Sequence, residues 1–252
     1  MQGRSDIHMF DINTKLNDEE ILIRRTKISE LLAAPNICDG TVEALSALDL
    51  EQLFKLYDRF FFENWFQEFY KGRMKFSVSR RMTKSAGLTI CPKNMDRMMP
   101  EQLTIEIRIG VDFFLRYGQI SGNKTVCGLK TKNSLEALQL VFEHELCHVI
   151  EFLYFKRSSC KGKRFKTIAG NLFGHSESYH RLPTQRQIAR QKLGLKIGDT
   201  VSFTHEGRNL SGFIYNIHKR ATVMVKNDRG TLVDSRGNRY IKYYVPLILL
   251  KR

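Results

Sequence analysis

Residues 133–155 read NSLEALQLVFEHELCHVIEFLYF, and no other stretch of the chain constrains the structure as strongly. Apolar residues fall on nearly every side of the helix that their spacing predicts, which is typical of a helix enclosed by its domain. Asn133 can cap the first turn, with Glu136 three residues later as its reciprocal partner. Charged residues in the middle of such a helix are costly to bury without a partner, so His144, Glu145 and His148 need a chemical reason to be there.

The five residues HELCH at 144–148 supply that reason. Residues four apart share a helix face, so His144 and His148 can direct imidazole nitrogens at one metal ion. Glu145 lies beside the pair, where it can act as a general base toward water. The pattern predicts a metal centre suited to peptide-bond hydrolysis, with a hydrogen-bonded polar cluster in the core as the alternative. Cys147, inside the motif, fits a small buried hydrophobic residue better than a nucleophile.

Upstream of this helix the sequence predicts another helix and a small sheet. Aromatic and aliphatic residues recur at helical spacing over 49–70, with Asp49 and Gln52 resembling a capping box. Short extended segments follow at 76–80, 87–91 and 103–109, the last with strict alternation of apolar and polar residues. The exposed side of the strand at 103–109 is the candidate to receive a substrate backbone by strand addition. A short helix is also predicted over 19–34, ending before Pro35.

The composition excludes several classes of protein. The chain has 252 residues, 42% of them hydrophobic, which suffices for a core and argues against wholesale disorder. No apolar run approaches the roughly 18 residues of a spanning helix, and the start MQGRSDIHMFDINTK lacks the apolar centre of a secretory signal. The five cysteines are odd in number and scattered, which indicates reduced thiols rather than a disulfide framework. We therefore expect an intracellular protein without a membrane partner.

Positive charge is concentrated near the C-terminus. The formal net charge is +15, and residues 181–252 contain 15 Lys and Arg against 4 Asp and Glu, a surplus of 11. Such a surplus favours polyanionic partners, with a solvated basic surface as the alternative. Residues 181–196 form a basic connector, and residues 197–252 contain five short strand patterns separated by turn residues. These patterns predict a small all-β barrel that resembles the SH3-like, KOW and Tudor types.

Basic and aromatic residues are interleaved in this predicted barrel. The basic residues include Lys219, Arg220 and Lys242, and the aromatic ones include Tyr215 and Tyr244. The mixture suits phosphate contacts combined with base stacking, and it also suits ordinary strand packing. Lys219 and Arg220 are the candidate nucleic-acid contacts.

A second basic stretch follows the HELCH helix. The run KRSSCKGKRFK at 156–166 has six basic residues in eleven and no acidic one. They predict a phosphate-binding rim next to the metal centre, with a solvated loop as the alternative. The six candidates are Lys156, Arg157, Lys161, Lys163, Arg164 and Lys166.

Taken in order, these features resemble the SprT-like (Spartan) metalloprotease family. The resemblance rests on an aromatic helix, a small sheet, HELCH on a central helix, and a Gly-x-x-Phe segment, Gly162 to Phe165, that opens another helix ended by Gly174. It covers about residues 46–180 and implies an α+β fold, a zincin-like domain of helices and a small β-sheet. The predicted organisation is an N-terminal extension at 1–45, the metalloprotease domain at 46–180, a basic linker at 181–196 and the SH3-like barrel at 197–252.

The resemblance also implies a third zinc ligand, a histidine directly before that glycine. Lys161 stands there in this chain and offers no lone pair when protonated. Cys160, one residue earlier in a basic neighbourhood that favours a thiolate, is the first candidate. His175 and His180 are the alternatives, and a site of two histidines and waters also stays open.

Glu151 is a candidate second partner of the metal centre. It follows His148 by three residues and faces the same way on a helix. It could orient a ligand through a hydrogen bond or occupy a coordination position. A surface or salt-bridge role is the alternative.

The resemblance implies a function as well as a fold. Members of the family are zinc proteases, and several act on proteins bound or crosslinked to DNA. We therefore expect a zinc-dependent endopeptidase acting on DNA-associated or DNA-crosslinked proteins, with Glu145 activating the attacking water and DNA or nucleoprotein as the partner. The expected location is cytoplasmic and nucleoid-associated, or nuclear in a eukaryotic cell. The alternative, raised by Lys161, is a nucleic-acid-binding protein with a non-catalytic, degenerate metalloprotease-like domain.

Overall fold

The computed structural model describes residues 10–32 and 36–252. Within them the chain forms two compact units. The first comprises the described residues up to Gly118 together with Gly122–Leu182, and the second comprises Gln119–Ser121 together with Pro183–Arg252. The helix predicted over 19–34 is present as Asp18–Leu31, and residues 33–35, which include Pro35, lie outside the described residues.

The first unit combines helices and short strands, in agreement with the predicted α+β class. Its helices are α1 (Asp18–Leu31), α2 (Ala47–Phe61), α3 (Trp65–Phe69), α4 (Asp112–Leu115), α5 (Ser134–Phe155) and α6 (Lys163–Phe173). Its strands are β1 (Ile37–Cys38), β2 (Thr41–Val42), β3 (Arg73–Ser79), β4 (Gly87–Ile90), β5 (Thr104–Gly110), β6 (Lys124–Val126) and β7 (Leu129–Thr131).

Helix α5, which carries HELCH, runs through the core of the first unit. Leu138, Phe142 and Leu146 are completely buried along it, as the apolar pattern predicts. The Asn133 side chain accepts a hydrogen bond from the Glu136 backbone N–H at 2.9 Å and caps the helix. The Glu136 carboxylate, in turn, accepts from the backbone N–H of Lys132, so the predicted capping box is not reciprocal.

The three-stranded sheet has the order β3-β5-β4, with β3 parallel and β4 antiparallel to the central strand. The alternation predicted for this central strand is confirmed, because Ile105, Ile107 and Ile109 are completely buried while Glu106 and Arg108 are partly exposed. The prediction that the strand at 103–109 receives a substrate backbone is wrong, because both edges of β5 are already paired. Within the part of the chain that the structure describes, the unpaired sheet edge next to α5 belongs to β4 instead.

The single aromatic helix predicted over 49–70 is two helices. The first of them, α2, starts earlier than predicted because Ser46 and Asp49 form its capping box. It is interrupted after Phe61 because the Asp58 carboxylate accepts hydrogen bonds from the backbone N–H groups of Phe66 and Gln67, both at 2.9 Å, and so caps α3. Between the two helices, the backbone of Asn64 adopts the left-handed conformation, with φ at 63°.

The described N-terminal residues belong to the first unit rather than extending from it. Ile21 and Ile28 of α1 are buried in its core. Arg25, on the same helix, forms a salt bridge of 2.6 Å with the completely buried Glu143 of α5. The described residues on both sides of the boundary predicted at residue 45 therefore belong to the same compact unit.

The second unit is a helix and a five-stranded antiparallel sheet. The helix is α7 (Gln185–Leu193), and the strands are β8 (Thr200–His205), β9 (Arg208–Ile217), β10 (Arg220–Lys226), β11 (Leu232–Val233) and β12 (Arg239–Pro246) in the order β11-β12-β10-β9-β8. The segment predicted as a basic linker, 181–196, therefore contains a helix, and its buried Ala189 joins the core under the sheet. Among the described residues, no helix is long and apolar enough to cross a membrane.

Candidate metal centre

Three potential metal ligands converge at one end of the HELCH turn. The Nε2 atoms of His144 and His148 face each other at 3.2 Å. Cys160, from the segment between α5 and α6, joins them, so that one ligand atom of each residue lies within 4.8 Å of the others. The one-turn spacing on α5 and the return of the chain after it thus bring together the two predicted histidines and the first candidate for third ligand.

The two other candidate ligands lie elsewhere. His175 is buried and its Nε2 lies 2.8 Å from Glu143 Oε2, within a core ion-pair network. The Nε2 of His180 accepts a hydrogen bond from the backbone N–H of Ala86 at 3.1 Å, and its ring packs against Phe113. Neither histidine belongs to the cluster of ligand atoms, although His180 lines the same cavity.

A hydrogen-bond relay fixes the imidazole of His148. Its Nδ1 lies 2.6 Å from Ser158 Oγ, and the Ser158 hydroxyl donates to Glu151 Oε2 at 2.7 Å. Because the serine proton points to the carboxylate, Nδ1–H must donate to the serine oxygen. This arrangement leaves the Nε2 lone pair facing His144 and Cys160, as a metal ligand requires.

Glu151 is an anchor behind the cluster rather than a member of it. It is almost completely buried and accepts additional hydrogen bonds from the Ser159 backbone N–H at 2.9 Å and from Arg164 Nε at 3.3 Å. All three donors come from the loop and helix that follow α5. The carboxylate therefore ties the segment carrying Cys160 to the helix carrying the histidines.

The Nδ1 atom of His144, which faces away from the ligand cluster, has the sulfur of Cys127 as its neighbour. The two atoms lie 3.7 Å apart, and burial raises the pKa of that thiol, which keeps it neutral. Cys127 itself is held by backbone hydrogen bonds from Ser176 and Glu177 to its carbonyl. No local sequence pattern marks Cys127 or Ser158, since each reaches its histidine only through the tertiary fold.

Both imidazoles are in the protonation state that binds metals. Burial lowers the pKa of His144 to about 3, with a further contribution from His148. Burial also lowers the pKa of His148 to about 4. Neutral imidazoles and a cysteine sulfur are a donor set that suits zinc, so the residues present fit the metal that the motif predicts.

Glu145 is held beside the cluster by strand β4. The Thr89 hydroxyl donates to Glu145 Oε2 at 2.7 Å, and burial raises the pKa of Glu145 to about 7 despite that hydrogen bond. The carboxyl group also packs against the backbone of Gly87, where a Cβ would overlap with it. The glycine and threonine of one edge strand thus position the carboxylate of the HELCH motif.

These groups line one cavity of about 480 Å³. Its walls include His144, Glu145, His148 and Cys160, and residues 84–89 at the start of β4. Such a volume is typical of a ligand-binding cleft. The edge strand, the ligand cluster and the carboxylate therefore face the same space.

The basic rim predicted at 156–166 is only partly available for phosphate. Lys156, Arg157, Lys161, Lys163 and Lys166 are exposed. Arg164 is different, because it binds Glu151 and its guanidinium lies 3.9 Å from the centre of the Phe155 ring. In the second unit, Lys219 and Arg220 are exposed at the turn between β9 and β10.

An HELCH helix, a third potential ligand from the following segment and a buried glutamate have the arrangement typical of HExxH metal hydrolases. A family model described as the SprT-like family matches residues 50–187, which is more than half of the chain. The chain belongs to the SprT-like family. No curated protein and no solved structure matches it.

Proposed function

We propose that this protein is a zinc-dependent endopeptidase in which His144, His148 and Cys160 hold the metal and Glu145 is the general base. The observation that carries the proposal is the convergence of three ligand atoms within 4.8 Å of one another beside a buried carboxylate. Membership of the SprT-like family, whose character is metallopeptidase-like, supports it. Cys160 supplies the third ligand one residue before the position that Lys161 occupies.

The chain's own groups account for the proton movements of hydrolysis. Zinc, when bound, supplies a Lewis acid that acidifies water and polarises the scissile carbonyl. The Glu145 carboxylate takes a proton from the attacking water and delivers it to the leaving amine, so the side chain returns to its starting state. The Thr89 hydroxyl holds one carboxylate oxygen at 2.7 Å and limits rotation of the group during both transfers.

The edge of β4 is where we expect the substrate backbone to bind. An extended peptide adding to an unpaired strand edge gains main-chain hydrogen bonds without a requirement for particular side chains. This edge borders the cavity that contains Glu145 and the ligand cluster. Binding there would suit a peptidase with broad sequence specificity.

The C-terminal unit is proposed to direct the enzyme to DNA or nucleoprotein, and hence to the nucleoid or the nucleus. Its sheet is proposed to be a small SH3-like barrel, a reading supported by reciprocal backbone hydrogen bonds between Ser202 of β8 and Lys251 near the chain end. Its surplus of positive charge favours a polyanionic partner. The proposed substrates are therefore proteins bound or crosslinked to DNA.

Cleavage of a protein crosslinked to an oligonucleotide tests this proposal, with the same protein free in solution for comparison. Zinc-loaded wild type should cleave the crosslinked form faster. Glu145→Gln should retain zinc and lose at least about 100-fold in rate, because general-base catalysis contributes that much. Glu136→Gln, on the same helix and outside the cavity, is the matched control and should cleave normally.

Two results would contradict the proposal. Equal cleavage of the free and the crosslinked protein would remove its DNA-directed part. A zinc-loaded wild type that leaves both proteins intact would favour the non-catalytic, nucleic-acid-binding alternative.

A further inference from the structure

The outer face of the C-terminal sheet forms an aromatic groove. It encloses about 500 Å³ across β9, β10, β11 and β12. Tyr215 and Tyr244 line it, and each residue is 61% exposed. Phe213 and Tyr240 also line it and contact each other edge to face, with ring centres 5.5 Å apart. Exposed aromatic rings clustered on one face of a small sheet are typical of a binding surface rather than of a surface that contacts only solvent.

Strand register places these rings on one face. In β12 the alternating residues Tyr240, Lys242 and Tyr244 line the groove, whereas Tyr243 turns to the core on the other side. In β9 the pairing shifts by one residue, so that Ile214 faces Val223 and Asn216 faces Thr222. Tyr215 is the extra residue of this bulge, and a bulge redirects its side chain without disturbing the core positions on either side.

The charge in the groove is suited to an anion. Lys242 Nζ lies 5.7 Å from the centre of the Tyr244 ring and pairs with no carboxylate among the described residues. Lys219 and Arg220, both exposed, form the turn that leads from β9 into the groove-lining end of β10.

Asp234 is the one carboxylate among the described residues that line the groove, and its oxygens are already hydrogen-bonded. Asp234 accepts hydrogen bonds from the backbone N–H groups of Arg236 and Asn238, from the Asn238 amide and from the Tyr240 hydroxyl. These bonds, above all those from Asn238, lower the pKa of Asp234 to about 2. A methylated lysine bound in the groove would therefore meet Asp234, whose oxygens are already hydrogen-bonded, and the ammonium group of Lys242. These neighbours disfavour an aromatic cage for cations.

We infer that this groove binds single-stranded nucleic acid, with unpaired bases stacking on Tyr215 and Tyr244 and with Lys242 contacting a phosphate. The inference rests on the proposed nucleic-acid-binding role of the C-terminal unit and specifies its ligand. Base faces are covered by neighbouring bases in a duplex, so exposed rings on a sheet can stack only with bases that are already unstacked. Stacking of this kind accepts any base, and among the described residues that line the groove only Asn216 carries a side-chain amide that could read a base edge.

Fluorescence anisotropy of the full chain with a labelled 12-nucleotide single strand, as DNA and as RNA, tests the inference against the matching duplex. We expect wild type to bind the single strand more tightly. Tyr215→Ala and Tyr244→Ala should each weaken single-strand binding at least about fivefold, as loss of one base stack predicts, and change duplex binding less than twofold. Lys242→Gln should lower the salt dependence by about one phosphate contact.

Conservative and distant variants control for misfolding. Tyr215→Phe and Tyr244→Phe keep the rings and should bind as wild type does. Lys251→Gln removes a charge beside β8, at the other edge of the sheet, and should leave single-strand binding within twofold. Melting curves matching wild type would show that each alanine variant is folded.

Three results would overturn the inference. If wild type binds duplex and the tyrosine variants bind every nucleic acid normally, the proposed nucleic-acid role stands and the groove assignment fails. If wild type binds neither form, both fail. If a trimethyl-lysine peptide binds and loses affinity in the tyrosine variants while single strands do not, the groove recognises modified protein instead.

Discussion

Ser158 is the residue on which the orientation of the candidate metal ligand His148 depends. It accepts a hydrogen bond from His148 Nδ1 and donates one from its own hydroxyl to Glu151. Glu151 is thereby linked to the metal centre without touching it. The same carboxylate anchors the loop that carries Cys160, so a single buried group positions candidate ligands from two segments.

Replacing Ser158 with alanine should weaken zinc binding. His148 would lose the acceptor that fixes its tautomer, and loss of such a partner typically costs about 10- to 100-fold in metal affinity. Competition with a chromophoric chelator measures the change directly. Ser159→Ala is the matched control, because Ser159 contacts Glu151 through its backbone N–H, which the substitution keeps. The zinc affinity of this variant should stay within about twofold of wild type. Equal affinity in the two variants would contradict this role.

Strand β4 contributes three of its four residues, Gly87, Leu88 and Thr89, to the lining of the site. Its backbone at Gly87 packs against the Glu145 carboxyl group, its Thr89 hydroxyl holds the same group, and its outer edge borders the cavity. A strand only four residues long therefore combines positioning of the proposed general base with the proposed substrate edge.

Gly87→Ala should damage catalysis while sparing the metal. The new methyl group would overlap with the Glu145 side chain and force it away from Thr89, and a misplacement of this size can cost about 100-fold in rate. Zinc content should be unchanged. Gly118→Ala is the control, since a Cβ there meets no atom within 4 Å. Normal cleavage by Gly87→Ala would show that the position of Glu145 is not critical.

Across the first unit, a buried ion-pair network joins the helices behind the metal centre. Arg25 of α1 contacts both carboxylate oxygens of Glu143 on α5, at 2.7 and 2.6 Å. Tyr57 of α2 and His175 after α6 bind the same carboxylate. Burial alone would raise the pKa of Glu143, but Arg25 and His175 hold it below its ordinary value. The network therefore keeps a charge in the core next to His144.

Arg25→Met should destabilise the first unit strongly. Removing one partner of a buried pair leaves an uncompensated charge and costs about 3–5 kcal/mol in free energy of unfolding. Lys55→Met breaks the exposed pair with Glu51 and should cost less than about 1 kcal/mol. Urea unfolding followed by circular dichroism compares them. Similar midpoints for the two variants would mean that the buried pair contributes no more than a surface pair.

The sequence predicts those features that repeat along the chain or lie close together in it. The α5 helix, the alternation of β5 and the five C-terminal strands follow from local periodicity, and HELCH from helical spacing. The break between α2 and α3 depends on one capping carboxylate, Asp58, which periodicity does not reveal. Other features arise only where distant chain segments meet in the folded unit. They include the contacts of Ser158, Cys127 and Thr89, and the sheet order in which β4 lies at the edge and β5 in the centre.

Zinc content of the purified protein, measured by elemental mass spectrometry, tests the central claim most directly. We predict about one zinc per chain in wild type, because one donor set of this kind binds one ion. His148→Ala should lose it and Cys160→Ser should retain clearly less. Cys38→Ser, which removes an exposed free cysteine, should retain all of it. Folded wild type that takes up no zinc when it is supplied, or a Cys160→Ser variant as fully loaded as Cys38→Ser, would contradict the account.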